Sequence, residues 1–124
     1  ERYPLDPSAF LELADLAEDE GDLPRARRLL VAHDLVTAFV PAAQRLPQVL
    51  RIADLSVRLD DHADAAIRLE AAAALGSPTV TLLVRLANAQ WHGGSPAAAR
   101  AVVADGLAQY PQNSALLALQ RRFE

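Results

Sequence analysis

The apolar positions of this chain recur at helical spacing and are interrupted by three short polar turns. Phe10, Leu13, Ala14 and Ala17 fall on one helical face, as do Leu50, Ala53 and Val57, and then Leu83, Leu86, Ala87 and Gln90. The turns are Glu20-Gly21-Asp22-Leu23-Pro24, Asp60-Asp61-His62-Ala63-Asp64 and Gly93-Gly94-Ser95-Pro96. Gly21 and Gly94 can take positive φ after a helix end, and Asp22, Asp61 or His62, and Ser95 stand where a polar side chain caps the next helix. Pro24 and Pro96 suit a first helical turn, where no amide donor is missed. A compact alanine follows each turn, at Ala26, Ala66 and Ala99, and larger side chains come one turn later at Leu29 and Leu30, Leu69, and Val102 and Val103. The pattern predicts helices over 7–19, 24–38, 47–59, 63–75, 78–92, 96–109 and 114–123, and no run alternates long enough to be a strand.

Proline marks the ends of the units. Gly76-Ser77-Pro78 and Tyr110-Pro111 close the last two second helices, with the prolines 33 residues apart. The stretch Ala38 to Pro47 departs from the pattern because Pro41 and Pro47 forbid one straight helix. Either the second helix overruns into a loop, the preferred reading, or Pro41 starts a longer third helix that Pro47 kinks.

A helix pair recurring at nearly fixed spacing buries its apolar faces by stacking on its neighbours. The recurring positions resemble the tetratricopeptide repeat, a helix pair with a W-x₂-L-G-x₂-Y, A-x₃-F and P pattern. Leu83, Leu86 and Ala87 stand at the Trp, Leu and Gly positions, and Ala99, Val103 and Pro111 at the small, large and proline positions. Phe10, Leu13, Ala14, Ala26 and Leu30 give a similar match, with His33 at a position that is usually small. The middle unit keeps Ala66, Ala73 and Pro78 but has Glu70 where a large apolar residue is usual. Ankyrin repeats need a T-P-L-H start that Ser77-Pro78-Thr79-Val80 meets poorly, and pentatricopeptide repeats need a basic groove. The resemblance implies an all-α fold, an α-α superhelix built as a right-handed solenoid of antiparallel helix pairs, with about seven helices. It gives one domain over 1–124, with units near 7–40, 47–78 and 79–112 and a cap helix at 113–124.

Composition narrows the partners. A net charge of −4 and a pI near 5.3 oppose a general attraction to nucleic acid or to an anionic membrane. All 12 basic residues are arginine, and with abundant alanine and leucine this points to a GC-rich bacterial genome. Cysteine is absent, which removes disulfide and thiol chemistry. The chain opens at Glu1 and contains no methionine, so it is expected to be cut from a longer protein. The longest apolar runs, such as Ala71 to Leu75, fall far short of the roughly 18 residues of a membrane span. The expectation is a soluble domain of a bacterial cytoplasm or periplasm, without direct membrane insertion.

The resemblance also implies that the first helix of each pair looks into a concave, peptide-binding groove. The groove residues are then Gln48, Arg51, Leu55 and Arg58 in the middle unit and Thr81, Val84, Arg85, Asn88, Trp91 and His92 in the last. Leu11, Glu12, Asp15, Glu18 and Asp19 hold the corresponding place in the first. The asparagine amide of Asn88 can bridge a peptide backbone while Arg85 and Arg51 fork onto a carboxylate, as some tetratricopeptide domains hold the carboxylates of chaperone tails. Trp91 has two readings, an aromatic anchor for a partner or a filler against the next helix pair. The cluster Asp15, Glu18, Asp19, Glu20 and Asp22 lacks calcium-loop spacing and reads as a solvated helix end.

Catalytic chemistry finds no support. His33, His62 and His92 are scattered without H-E-x-x-H, and Gly93-Gly94-Ser95 lacks the lysine of a phosphate loop. The reading is a non-catalytic interaction scaffold for a protein or peptide, with no cofactor and no metal. The alternative is a structural or regulatory segment of a larger enzyme or secretion assembly, packed on its own parent chain. A homo-oligomer formed through the last helix is the third reading, since Leu116, Leu117, Leu119 and Phe123 exceed what one neighbouring helix buries.

Overall fold

In the computed structural model, which describes residues 7–75 and 78–124, the turns organise the chain as their chemistry requires. Helix α1 (Pro7–Asp19) ends where Gly21 takes φ 78° and the Asp22 amide donates back to the Ala17 carbonyl at 2.8 Å. Helix α5 (Val80–His92) ends in the same way, with Gly94 at φ 89° and the Ser95 amide on the Gln90 carbonyl at 2.8 Å. After α3 (Ala42–Arg58) the left-handed residue is Asp60, at φ 61°, a conformation that acidic side chains tolerate better than most. The next helices start on side-chain caps. Asp22 accepts from Arg25 N–H in α2 (Leu23–Val36) at 3.2 Å, and Asp61, not His62, accepts from Asp64 N–H in α4 (His62–Ala73) at 3.2 Å. Thr79 caps α5 and Asn113 caps α7 (Ser114–Arg122), whereas Ser95 makes no side-chain cap for α6 (Pro96–Gln109).

The region 38–47 is a correction to the preferred sequence reading. The loop is confined to the residues before Ala42, and α3 starts on Pro41 and continues through Pro47. Arg45 explains why the helix begins so early. Its Nε donates to the Val40 carbonyl at 3.0 Å and its Nη1 to the Asp34 carboxylate at 2.7 Å, tying the first turn of α3 to the end of α2. Pro47 then costs the helix one backbone hydrogen bond at an exposed position. The closure expected at Gly76-Ser77 lies outside the described residues.

The helices fall into two compact units, Glu1–Asp60 and Asp61–Glu124. In the first, α2 packs on α1 and α3 around Ala14, Ala17, Ala26, Leu30, Ile52 and Leu55. In the second, α5 packs on α4 and α6, and α7 closes the end with Leu119 and Phe123 against Ala87, Ala99 and Val103. Leu116, Leu119 and Phe123 are buried, and Gly106 makes room for them: a Cβ there would stand 3.1 Å from Leu116 Cδ1 and 3.2 Å from Leu83 Cδ1. Of the apolar face expected to be left over for self-association, Leu116, Leu119 and Phe123 are thus used inside the unit, and Leu117 is half-buried.

Burial also corrects the repeat register. The second helices bury Ala26, Leu30 and His33, then Ala65, Leu69 and Ala72, then Ala99, Val103 and Gly106, at spacings of 39 and 34. The small residue of the middle unit is thus Ala65 rather than Ala66. Leu69 supplies the large apolar side chain one turn later, and Glu70 points out, so the polar substitution expected there does not occur. Gly21, Asp60 and Gly94 repeat at the same two spacings. Among the described residues there are only helices, and none is long and apolar enough to cross a membrane.

Candidate peptide-binding faces

The α3 stripe Gln48, Arg51, Leu55 and Arg58 does lie on one helical face, but that face is turned toward α1. Leu55 is 1% exposed and sits in the core of the first unit, so its expected place in a groove is overturned. The physical reason is helical phase. Ile52, Ala53, Leu55 and Ser56 form the buried face of α3, whereas Val57, expected inside, is exposed and Leu50 is half-buried. Ser56 is accommodated because its hydroxyl accepts from Arg27 Nη1 at 3.2 Å.

Arg51 is held by α1. Its Nη2 lies 2.6 Å from Glu18 Oε1 and 2.5 Å from Asp15 Oδ1, and its Nε donates to Glu18 Oε1 at 2.8 Å. Burial by itself lowers the pKa of this guanidinium, but the hydrogen bonds and charges of Glu18 and Asp15 outweigh burial and raise it above its ordinary value. Arg58 extends the cluster, 3.7 Å from Glu18 and 3.8 Å from Asp54. The acidic and basic stretches expected side by side in a groove therefore largely neutralise each other within the first unit. Gln48 is half-buried, and Glu12 and Asp19 are exposed.

The α5 set is arranged differently. Leu83, Leu86, Ala87, Ala89 and Gln90 form its buried face, and Thr81, Val84, Arg85, Asn88, Trp91 and His92 all fall outside it. Arg85 makes no ion pair or hydrogen bond among the described residues. Asn88 is half-buried, and its Oδ1 is out of contact with solvent without a hydrogen-bond partner. A free guanidinium and an amide with an open acceptor thus stand one turn apart on the same helix.

Trp91 is occupied by its own unit. Its ring stacks on Phe123 with centroids 4.4 Å apart and planes 6° from parallel, and the Arg100 guanidinium lies 5.5 Å from its centroid. Arg100 Nε also donates to the Phe123 carbonyl at 2.8 Å, so this cation locks the last helix end onto α6. The stack is what the filler reading of Trp91 expects, and the ring is half-buried. His92 lies exposed at the end of α5, and its ring stands 5.2 Å from His62, a pairing that sequence distance concealed. No group of three or more His, Asp or Glu side chains among the described residues is placed to hold a metal ion.

No family model and no curated protein matches the sequence. Solved structures do match. A tetratricopeptide repeat protein from Parabacteroides merdae superposes with a TM-score of 0.77 at 18% identity over 94% of this chain and 45% of that one. The chain has a tetratricopeptide-repeat fold. A chain of the Sec complex from S. cerevisiae matches with a TM-score of 0.77 at 19% identity, over 99% of this chain and 75% of that one. The first tetratricopeptide domain of Spaghetti (RPAP3), bound to an HSP90 peptide, matches with a TM-score of 0.66 at 15% identity, over 94% and 89% of the two chains. The present chain thus spans less than half of the Parabacteroides protein. On the tetratricopeptide pattern, the buried residues of α5 stand at the Trp, Leu, Gly and Tyr positions as Leu83, Leu86, Ala87 and Gln90.

Proposed function

We propose that this chain is a non-catalytic interaction module that takes a peptide or protein segment on the outward face of α5. The observation that carries the reading is the pair Arg85 and Asn88, polar side chains outside the core whose recognition atoms are not used by the fold. A ligand carboxylate can take the guanidinium fork, and a backbone N–H can take Asn88 Oδ1 once rotation of the side-chain amide turns that oxygen, which is out of contact with solvent, toward the ligand. Thr81, Val84 and His92 flank the pair along the helix. Trp91 serves as a fixed wall, since its stack on Phe123 already orders it. The peptide-bound neighbour of the same fold supports this choice of ligand class. Gln48, Arg51 and Arg58 of the first unit lie outside this face, and a ligand reaching Arg51 must displace Asp15 and Glu18.

Peptides selected from a random display library against the whole chain test the proposal. Their binding should shift the NMR signals of Thr81 to His92, and Arg85→Ala with Asn88→Ala should weaken it about tenfold or more at an unchanged melting temperature. Selected ligands that map elsewhere, or that ignore the double variant, would remove α5 as the binding face.

A second reading, a segment packed within a larger assembly, draws on a different observation. Near the end of α2, Leu35 is 71% and Phe39 81% exposed, with Val36 beside them. Such an apolar surface fits burial against further protein. In that case Phe39→Ser should disrupt assembly of the full protein and leave peptide binding at α5 intact.

A further inference from the structure

The second unit contains a cleft of about 300 Å³ that shares no residue with the α5 face. Ala63, Ala66, Ile67 and Glu70 of α4 line one side, Ser95 and Ala98 the other, and Gln90 and Gly93 the remainder. Small side chains open it. Gly93 allows the start of α4 to come close, since a Cβ there would stand 3.1 Å from the Ala63 backbone nitrogen.

Gln90 is the unexplained group. It is only 6% exposed, it occupies a core position of α5 where the repeat pattern has tyrosine, and its Oε1 has no hydrogen-bond partner. A buried acceptor left unpaired is disfavoured, and leucine would pack at that position without the penalty. The amide lines the cleft, and rotation about its last side-chain torsion is a soft motion that can present Oε1 to an occupant. The second charged or polar feature is Glu70, an exposed carboxylate on the same cleft, and no cationic side chain lines it. Glu70 stands seven residues along α4 from Ala63, about 10 Å from the Gly93 and Ser95 end. At that other end the first turn of α6 has no side-chain cap. The amides of Gly93 and Ser95 are spent on the Ala89 and Gln90 carbonyls, so the polar groups the cleft offers are the acceptors Gln90 Oε1 and the Glu70 carboxylate.

We infer that this cleft binds the basic side chain, arginine or lysine, of a protein partner. The aliphatic stem lies along Ala66 and Ile67, and the cationic head donates to the Glu70 carboxylate and Gln90 Oε1. The net charge of −4 favours such a partner at long range.

The test is an NMR titration of the whole ¹⁵N-labelled chain with acetyl-Gly-Gly-Xaa-Gly-Gly-amide peptides. Xaa is arginine, lysine, norleucine or glutamate. Arginine and lysine peptides should shift the signals of Ala63 to Glu70, Gly93 to Ala98 and the Gln90 side-chain amide, and added salt should weaken the effect. Glu70→Gln and Gln90→Leu should each weaken binding about tenfold. Gln90→Leu should also raise the melting temperature, because it removes an unpaired acceptor. Absence of shifts in this cleft with the basic peptides, equal shifts with norleucine, or stronger ones with glutamate would overturn the inference. So would undiminished binding by Glu70→Gln, whose exposed position leaves the fold intact, or a lower melting temperature for Gln90→Leu.

Discussion

Arg51 and Arg85 stand 34 residues apart, at the same position of successive first helices, yet the fold treats them oppositely. In the first unit α1 offers Asp15 and Glu18, and Arg51 is held by both. In the second, Arg85 has no such partner among the described residues, and Asn88 one turn on keeps an open acceptor. Repeat register therefore identifies equivalent positions but not equivalent roles. Whether an arginine at this position is free to pair with anything else depends on whether a neighbouring helix has already supplied the countercharge.

The same contrast holds in the cores. The first unit is centred on aliphatic side chains, Leu30, Ile52 and Leu55, whereas the second closes on an aromatic stack at its end. The largest expected effect is Phe123→Ala, which removes that stack from a buried position and should cost about 3–5 kcal/mol. Chemical denaturation measures it, and Trp91 fluorescence should shift to the red. A variant that melts as before with unchanged fluorescence would break the view that Trp91 is an internal filler. Leu55→Ala should cost about 2–5 kcal/mol if the residue is core, and well under about 1 kcal/mol if it lines a surface groove.

Pro47→Ala sharpens the comparison in the opposite direction. A proline past the first helical turn costs up to about 3 kcal/mol, so alanine should raise the stability of the first unit by about 1–3 kcal/mol. A loss of stability instead would show that Pro47 has a packing role. The smallest effect belongs to Arg51→Ala, about 1 kcal/mol or less, because the pair with Glu18 is partly exposed and is screened by salt. A double-mutant cycle with Glu18→Ala should recover most of it. Since the pKa of Arg51 is raised, its contribution is complete below the ordinary guanidinium value and is lost only as pH climbs through the folded one. Deprotonation of Arg51 should thus add no pH dependence between about pH 6 and 9.

Much of the architecture was legible because short-range rules control it. Gly21 and Gly94 in the left-handed region, the caps Asp22 and Asp61, and the matched buried face of α5 follow from local backbone chemistry and helical period, whereas the expected cap Ser95 makes no such bond. The α5 face was legible for the same reason, since its core residues have strong periodicity. The α3 face was not. Leu50, Val57 and Leu55 are equally apolar in sequence, and only packing against α1 and α2 decides which of them turns inward.

The chain by itself determined an all-helical repeat, the position of its turns and the buried face of α5, because each depends on neighbours within a few residues. Tertiary structure alone decided the early start of α3, through Arg45 reaching back to Asp34, and the change from Ala66 to Ala65 as the close-packed residue. It also decided the pairing of Arg51 with α1 and the stack of Trp91 on Phe123. These depend on side chains brought together from distant parts of the sequence, where helical phase must be known to within a single residue and periodicity resolves it only to a face.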